Sequence, residues 1–284
     1  MSDFPTGQPI QLEPLVTRVL APNPSPYTFT GTQTHIVGTT DLAVIDPGPD
    51  DPAHLDALLA AIAGRPVSAI VVTHTHRDHS PLSRALKAAT GAPIVGCAPL
   101  AMDDLGPRAD AAFDRDYTPD RILVDGEQVA GAGWTLTAIA TPGHTSNHLA
   151  FALEETKALF SGDHVMGWST TVISPPDGDM ADYLASLAKL MERDDRVFYP
   201  AHGEQIDRPQ RFVRSLIGHR KQREGQILRL LERGVGELPA MVETMYVGID
   251  PRLKPAAERS VLAHLIDLER RGRVAQQGDA WNGI

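Results

Sequence analysis

Cysteine is nearly absent from this chain: Cys97 is the single one in 284 residues, so no intramolecular disulfide can form. Aromatic residues make up only 5%, and there is no Phe/Tyr stripe of the kind that stacks single-stranded bases. The longest apolar stretch with helical character, 57–63, falls far short of the ~20 residues a membrane span needs. The first nine residues lack a basic segment followed by an apolar one, so no secretory signal is visible. These absences predict a cytoplasmic protein with no membrane partner. Positive charge is also short: 26 Lys and Arg stand against 36 Asp and Glu, a formal net charge of -10. A uniform field of that sign repels nucleic acid and acidic membranes, so such a partner needs a local basic patch.

What is present is an ordinary globular composition, 42% hydrophobic and 22% charged. Short β-branched segments at 15–20, 34–37 and 42–45 predict consecutive strands, stopped by the turn Asp46-Pro47-Gly48-Pro49. A helix is expected over 52–63, ending at Gly64, and a strand over 69–72. A second helix is expected over 80–90, with Ser80-Pro81 as its cap and first position and Gly91 as its stop. Strands at 94–96, 135–140, 149–153, 158–161 and 197–199, with a helix at 182–191, follow around a Gly- and Asp-rich middle at 103–133. Mixed strand–strand and strand–helix units predict an α/β or α+β core.

After Gly203 the character changes. Residues 208–233 predict a long helix, with Gly218 or Gly225 as candidate breaks. It carries eight basic residues (Arg208, Arg211, Arg214, Arg220, Lys221, Arg223, Arg229 and Arg233) against Glu224 and Glu232. Residues 237–281 predict short helices and a terminal hairpin around an apolar centre at 261–266.

The segment that carries chemistry is Thr73-His74-Thr75-His76-Arg77-Asp78-His79, at the end of an apolar strand. Alternation in extended backbone sends His74 and His76 to one side, as a chelate requires. Imidazole suits zinc and related ions, and a carboxylate adds a hard oxygen ligand. Three later segments each place one ligand-type residue just past a strand: Pro142-Gly143-His144, Ser161-Gly162-Asp163 and Ala201-His202-Gly203. A single His or Asp in a turn is usually structural. Three of them beside the His-rich motif are hard to explain that way.

The succession His-x-His-x-Asp-His, Gly-His, Gly-Asp and late His-Gly resembles the metallo-β-lactamase superfamily over about residues 15–205. The resemblance implies an αβ/βα four-layer sandwich and two metal ions, zinc first, with iron or manganese as alternatives. By motif, His74, His76 and His144 would hold one ion and Asp78, His79 and His202 the other, with Asp163 bridging. The second set has Asp78 and no cysteine, unlike the secreted antibiotic-hydrolysing enzymes. His76 stands where the diiron flavoproteins carry Glu. The Cys-Gly-Lys stretch that binds glutathione in glyoxalase II enzymes is missing after Asp163. Stretches at 169–173, 183–187 and 219–228 are similar to a β-lactamase-like group that carries a small winged-helix-like C-terminal domain. That similarity implies a catalytic domain at 1–205, a helical domain at 206–284 and a homodimer.

The expected chemistry is hydrolysis by a hydroxide shared between the ions, with Asp163 bridging and Asp78 taking its proton. The first reading is a hydrolase of a small ester, thioester or lactone. A single-stranded RNA endonuclease is the second, since one member of the resembled group has that activity and the 208–233 helix is basic. A third is a winged-helix nucleic-acid-binding protein with a vestigial enzyme core, which the intact ligand set disfavours. His219 and Arg220 are read either as a solvated helix face or as a cationic rim for a substrate carboxylate or phosphate. His148 and His164 are expected to orient the site. His35, His54 and His264 are expected to be ordinary surface or core residues, and Cys97 a small buried hydrophobe.

Overall fold

The computed structural model of the protein describes residues 5–100 and 113–284. Part of the Gly- and Asp-rich middle, 103–112, and the first four residues lie outside them. The first sheet has seven strands in sequence order: β1 (Ile10–Glu13), β2 (Val16–Leu20), β3 (Gln33–Val37), β4 (Leu42–Ile45), β5 (Val67–Val72), β6 (Ile94–Gly96) and β7 (Arg121–Ile122). Pairing is antiparallel up to β4 and parallel from β4 to β7. The parallel steps from β4 to β5 and from β5 to β6 are made by α1 (Pro52–Ile62) and α2 (Ser83–Thr90), as such crossovers require.

The second sheet runs β12-β11-β10-β9-β8, built from β8 (Gln128–Gly131), β9 (Trp134–Ala140), β10 (Leu149–Leu153), β11 (Ala158–Gly162) and β12 (Val197–Pro200). Its last three strands are buried throughout, and their period of two explains why. Leu149, Phe151, Leu153, Phe160, Val197 and Tyr199 join the core between the sheets, with Ile36, Val44 and Val71. Ala150, Ala152, Leu159 and Phe198 point the other way, into a cluster with Leu187 and Leu190 of α3 (Met180–Met191). Helices thus cover both outer faces, giving the expected four-layer αβ/βα sandwich.

Several elements depart from the sequence reading in detail. α2 starts at Ser83, and no side chain caps it. Ser80 is drawn instead into the turn after β5, where its hydroxyl donates to Asp114 Oδ2 at 2.9 Å. α3 starts earlier than expected because Asp179 caps it, accepting from the amides of Ala181 and Asp182. α4 (Pro209–Glu232) is continuous through both Gly218 and Gly225. The ~1 kcal/mol that each glycine costs a helix is offset by burial of Val213, Leu216, Ile227 and Leu230 along its length.

The C-terminal part adds α5 (Leu238–Met245), a 3-10 turn (Pro251–Leu253), α6 (Lys254–Arg270) and the hairpin β13 (Val274–Gln277) and β14 (Ala280–Gly283). The apolar centre at 261–266 lies inside α6, which is 17 residues long and not short. The first half of α4 packs Val213 and Leu216 onto the outer cluster of the second sheet. Its second half packs Ile227, Leu230 and Leu231 onto α5 and α6. α4 is therefore a shared wall between the sandwich and the C-terminal part. No helix among the described residues is long and apolar enough to cross a membrane.

Candidate metal centre

The seven ligand-type residues meet at one end of the sandwich. His74, His76, Asp78 and His79 lie in the loop after β5; His144, Asp163 and His202 follow β9, β11 and β12. The backbone at two of these strand ends needs glycine. Gly143 sits at φ +136, and a Cβ there would lie 2.3 Å from Tyr183 Cα. Gly162 sits at φ +51, where a Cβ would press on the His148 ring.

Two sets form. His74, His76, His144 and Asp163 make one and Asp78, His79 and His202 the other, with the ligand atoms of each set within 4.8 Å of one another. His76 Nδ1 lies 3.0 Å from His74 Nε2 and 3.1 Å from His144 Nε2. Asp163 faces both sets: Oδ2 is 3.7 Å from His144 Nε2, while Oδ1 is 3.2 Å from His202 Nε2 and 3.6 Å from His79 Nε2. Asp78 Oδ2 stands 3.3 Å from His79 Nε2 and 3.2 Å from His202 Nε2. The geometry brings all seven of these residues together in two adjoining sets, with Asp163 grouped with the first and facing the second.

The far ring nitrogens are held by acceptors, and this fixes which nitrogen points inward. Thr73 donates its hydroxyl to Asp46 Oδ2 at 2.8 Å, so its oxygen accepts from His74 Nδ1 at 2.9 Å. His79 Nδ1 donates to Asp46 Oδ2 at 3.0 Å, His144 Nδ1 to Val172 O at 2.8 Å and His202 Nδ1 to Gly31 O at 3.2 Å. Each turns its Nε2 toward the centre. His74 and His144 thus turn Nε2 lone pairs on one small volume beside His76 Nδ1, within reach of a proton on that nitrogen or of a cation in its place. The donor set fits a pair of borderline divalent ions, and zinc accepts this ligand chemistry.

Electrostatics separates the two sets. Burial would push the Asp78 carboxyl up, but His79 and His202 beside it hold it well below the usual range. Asp163 is likewise held low, against burial, by His202 and His79. Burial would lower His202, yet Asp163 and Asp78 carry it up to about 10. His74 is held well below its ordinary value by burial and by His79 and His76. A cation held by the second set would have to displace protons from imidazolium–carboxylate pairs, whereas His74 in the first set offers a neutral ring.

A cavity of about 120 Å³ opens over the centre. His76, Asp78, His144, Asp163 and His202 form its floor; Pro26, Tyr27, Met166, Trp168, Val172 and Leu253 form most of its walls, with Thr28, Ser169 and Thr170 adding hydroxyls. Trp168 is stacked on Phe29, with ring centroids 5.0 Å apart. Leu253 comes from the C-terminal part, and Tyr27 Oη donates to the neighbouring Arg252 carbonyl.

The profile of the family described as Metallo-beta-lactamase superfamily matches residues 27–202, which contain all seven ligand-type residues. The chain belongs to the metallo-β-lactamase superfamily. A second profile, the beta-lactamase associated winged helix domain, matches residues 238–281, leaving α4 between the two matches. A beta-lactamase-like protein 2 homolog from Caenorhabditis elegans is 35% identical over 79% of this chain and 74% of its own length. An atrochrysone carboxyl ACP thioesterase from Aspergillus fumigatus is 32% identical over 78% of this chain and 66% of its own. The crystal structure of a metallo-β-lactamase family protein from Thermus thermophilus covers 96% of this chain and 100% of its own, with a TM-score of 0.76 and 23% identity. The protein is thus a superfamily hydrolase with a metal-binding His/Asp centre.

Other expectations fare unevenly. His148 does orient the site: its Nε2 accepts the Asp163 amide at 3.2 Å and its Nδ1 pairs with Thr141 Oγ1. His164 is buried against the Tyr183 ring behind the centre. His35, His54 and His264 are core residues, and Cys97 is fully buried. Arg220 requires a correction. It is neither a solvated face nor a rim: it is 2% exposed, its guanidinium donates to the Thr171 carbonyl, and neither it nor His219 lines the cavity. The residues that sequence reasoning passed over are Asp46, read only as a turn, and the carbonyls of Gly31 and Val172. Asp46 had a signal, an acid at the end of a wholly apolar strand; the carbonyls had none.

Proposed function

We propose that the protein hydrolyses an acyl thioester with two bound divalent ions, zinc being the first choice. The observation that carries this reading is the cavity wall: six apolar or aromatic side chains beside three uncharged hydroxyl residues, Thr28, Ser169 and Thr170, and no lysine or arginine among the described lining residues. Such a wall suits an uncharged acyl chain. A phosphodiester backbone would need cations there, because phosphate contacts dominate nucleic-acid affinity. The thioesterase name of one relative points the same way.

The ions, when bound, supply an activated water and polarise the acyl oxygen. Asp163, facing both sets, holds them in register. Asp78, on the cavity floor beside His79 and His202, takes the water's proton on its carboxylate. The new C–O bond forms and the C–S bond breaks, and Asp78 passes the proton on to the departing sulfur, giving a carboxylic acid and a thiol. A thiol leaves as thiolate with a pKa near ~8.5, so no strong proton donor is needed at the leaving atom.

The ribonuclease reading keeps one supporting observation, the exposed Arg208 just before α4 and Arg211 and Arg214 in its first turns. A direct comparison separates the two. Zinc-loaded protein is offered a series of acyl thioesters, with thiol release followed, and in parallel a labelled single-stranded RNA. Thiol release that rises with acyl length supports the proposal. RNA cleavage without thiol release would replace it.

A further inference from the structure

We propose that Arg220, outside the matched catalytic segment, is a positioning residue that holds the metal ligands His144 and Asp163 in place from the C-terminal helix α4. The inference rests on the metal centre of the proposed hydrolase and is independent of its substrate.

The chain of contacts is short. The Arg220 guanidinium donates to the carbonyl of Thr171. The Thr171 hydroxyl donates to the Asp163 carbonyl at 2.6 Å and approaches the His164 carbonyl at 3.1 Å. The next carbonyl, Val172 O, accepts His144 Nδ1–H at 2.8 Å. Two adjacent residues thus anchor the main chain of the spanning carboxylate and the ring of a first-set histidine. Both depend on where the 171–172 backbone lies, and residues 169–172 belong to no helix or strand that would fix it.

The burial of Arg220 gives the second argument. It is 2% exposed, and no carboxylate pairs with it among the described residues. Its neighbours are the Tyr183 ring, with the guanidinium carbon 5.1 Å from the centroid, and the buried His164 and His264. A buried guanidinium without a counter-ion is costly, and in a merely structural wall an apolar residue would serve better. Its planar fork lets it grip a carbonyl while lying on an aromatic face, which an ammonium does poorly.

Arg223 on the same helix supplies the control. It stacks on Tyr246 at 4.3 Å and donates to the Met245 carbonyl, both within the C-terminal part. The test uses the full chain as Arg220→Met, Arg220→Lys and Arg223→Met, each shown folded by circular dichroism and titrated with cobalt(II) in the absence of substrate. The readouts are the visible cobalt spectrum, the cobalt affinity and amide exchange across 163–172 in the metal-free protein. Arg220→Met is expected to lose about 10- to 100-fold in affinity, shift the spectrum and exchange faster. Arg220→Lys should recover part of this, and Arg223→Met should match wild type. Should Arg220→Met fail to fold, Arg220→Lys decides by its spectrum. A wild-type spectrum and affinity in a folded Arg220 variant would overturn the proposal, as would equal losses in Arg223→Met.

Discussion

Asp46 Oδ2 lies 3.0 Å from His79 Nδ1, and the same carboxylate takes the Thr73 amide and hydroxyl at 2.8 Å each. One buried acid at the end of β4 therefore sets the ring orientation of His79 directly and of His74 through Thr73. That joins the two ligand sets behind the centre, as Asp163 joins them in front.

Asp46→Asn tests this link. An amide can present its NH2 to His79 where the carboxylate accepted, so the inward tautomer is no longer enforced. Metal affinity should fall about 10- to 100-fold, measured by chelator competition. Unchanged affinity would show that the ring is held by packing alone.

Gly143→Ala should cost about 2–3 kcal/mol of stability and lower metal content. The new Cβ would collide with the Tyr183 backbone, and φ +136 is hostile to L residues. Thermal unfolding and metal analysis on one sample check both effects. An intact metal content in the destabilised protein would separate His144 from its turn.

Leu253→Asp should raise KM for a long-chain acyl thioester about tenfold while leaving kcat nearly intact. A charge would replace apolar wall at the cavity, and partial burial of a leucine is worth about 1.4 kcal/mol or more. Steady-state kinetics against short and long acyl chains reads this directly. Equal KM values for wild type and Leu253→Asp with both chain lengths would remove the C-terminal part from substrate binding.

His54 offers a pH test away from the centre. Burial pushes it down to about 4, with Asp51 partly opposing, and its Nε2 pairs with Thr34 Oγ1 at 2.9 Å. Its folded pKa is depressed, so unfolded chains take up the proton first as pH falls. The stability it contributes is present above about 6.5 and is lost between there and about 4. Relative to His54→Gln, wild-type stability should therefore fall by up to about 1.4 kcal/mol per pH unit in that window. Denaturant melts at pH 7 and pH 5 measure it. A pH-independent difference would mean that His54 titrates normally in the fold.

The sequence showed most of the metal centre because its ligands occur in short, contiguous signals, each at the end of an apolar strand. Four of them fall between His74 and His79, and glycines mark His144, Asp163 and His202. The strands of the sandwich were legible from β-branched runs. β1 was not expected, since Ile10–Glu13 is too mixed to stand out. Ser80 misled because its hydroxyl answers to Asp114, a partner 34 residues away. Arg220 misled for a related reason: on a basic helix it reads as solvated, and only the packing of α4 on α3 shows that it is buried. Long-range contacts by single polar groups leave no periodicity to read.

The most direct test of the account is metal content and thioester turnover measured together on wild type and His76→Ala, purified identically. The account predicts about two ions per chain and turnover in the wild type, with activity lost on chelation and restored by zinc. His76→Ala should be depleted of metal and inactive. Full turnover by metal-free His76→Ala would contradict it.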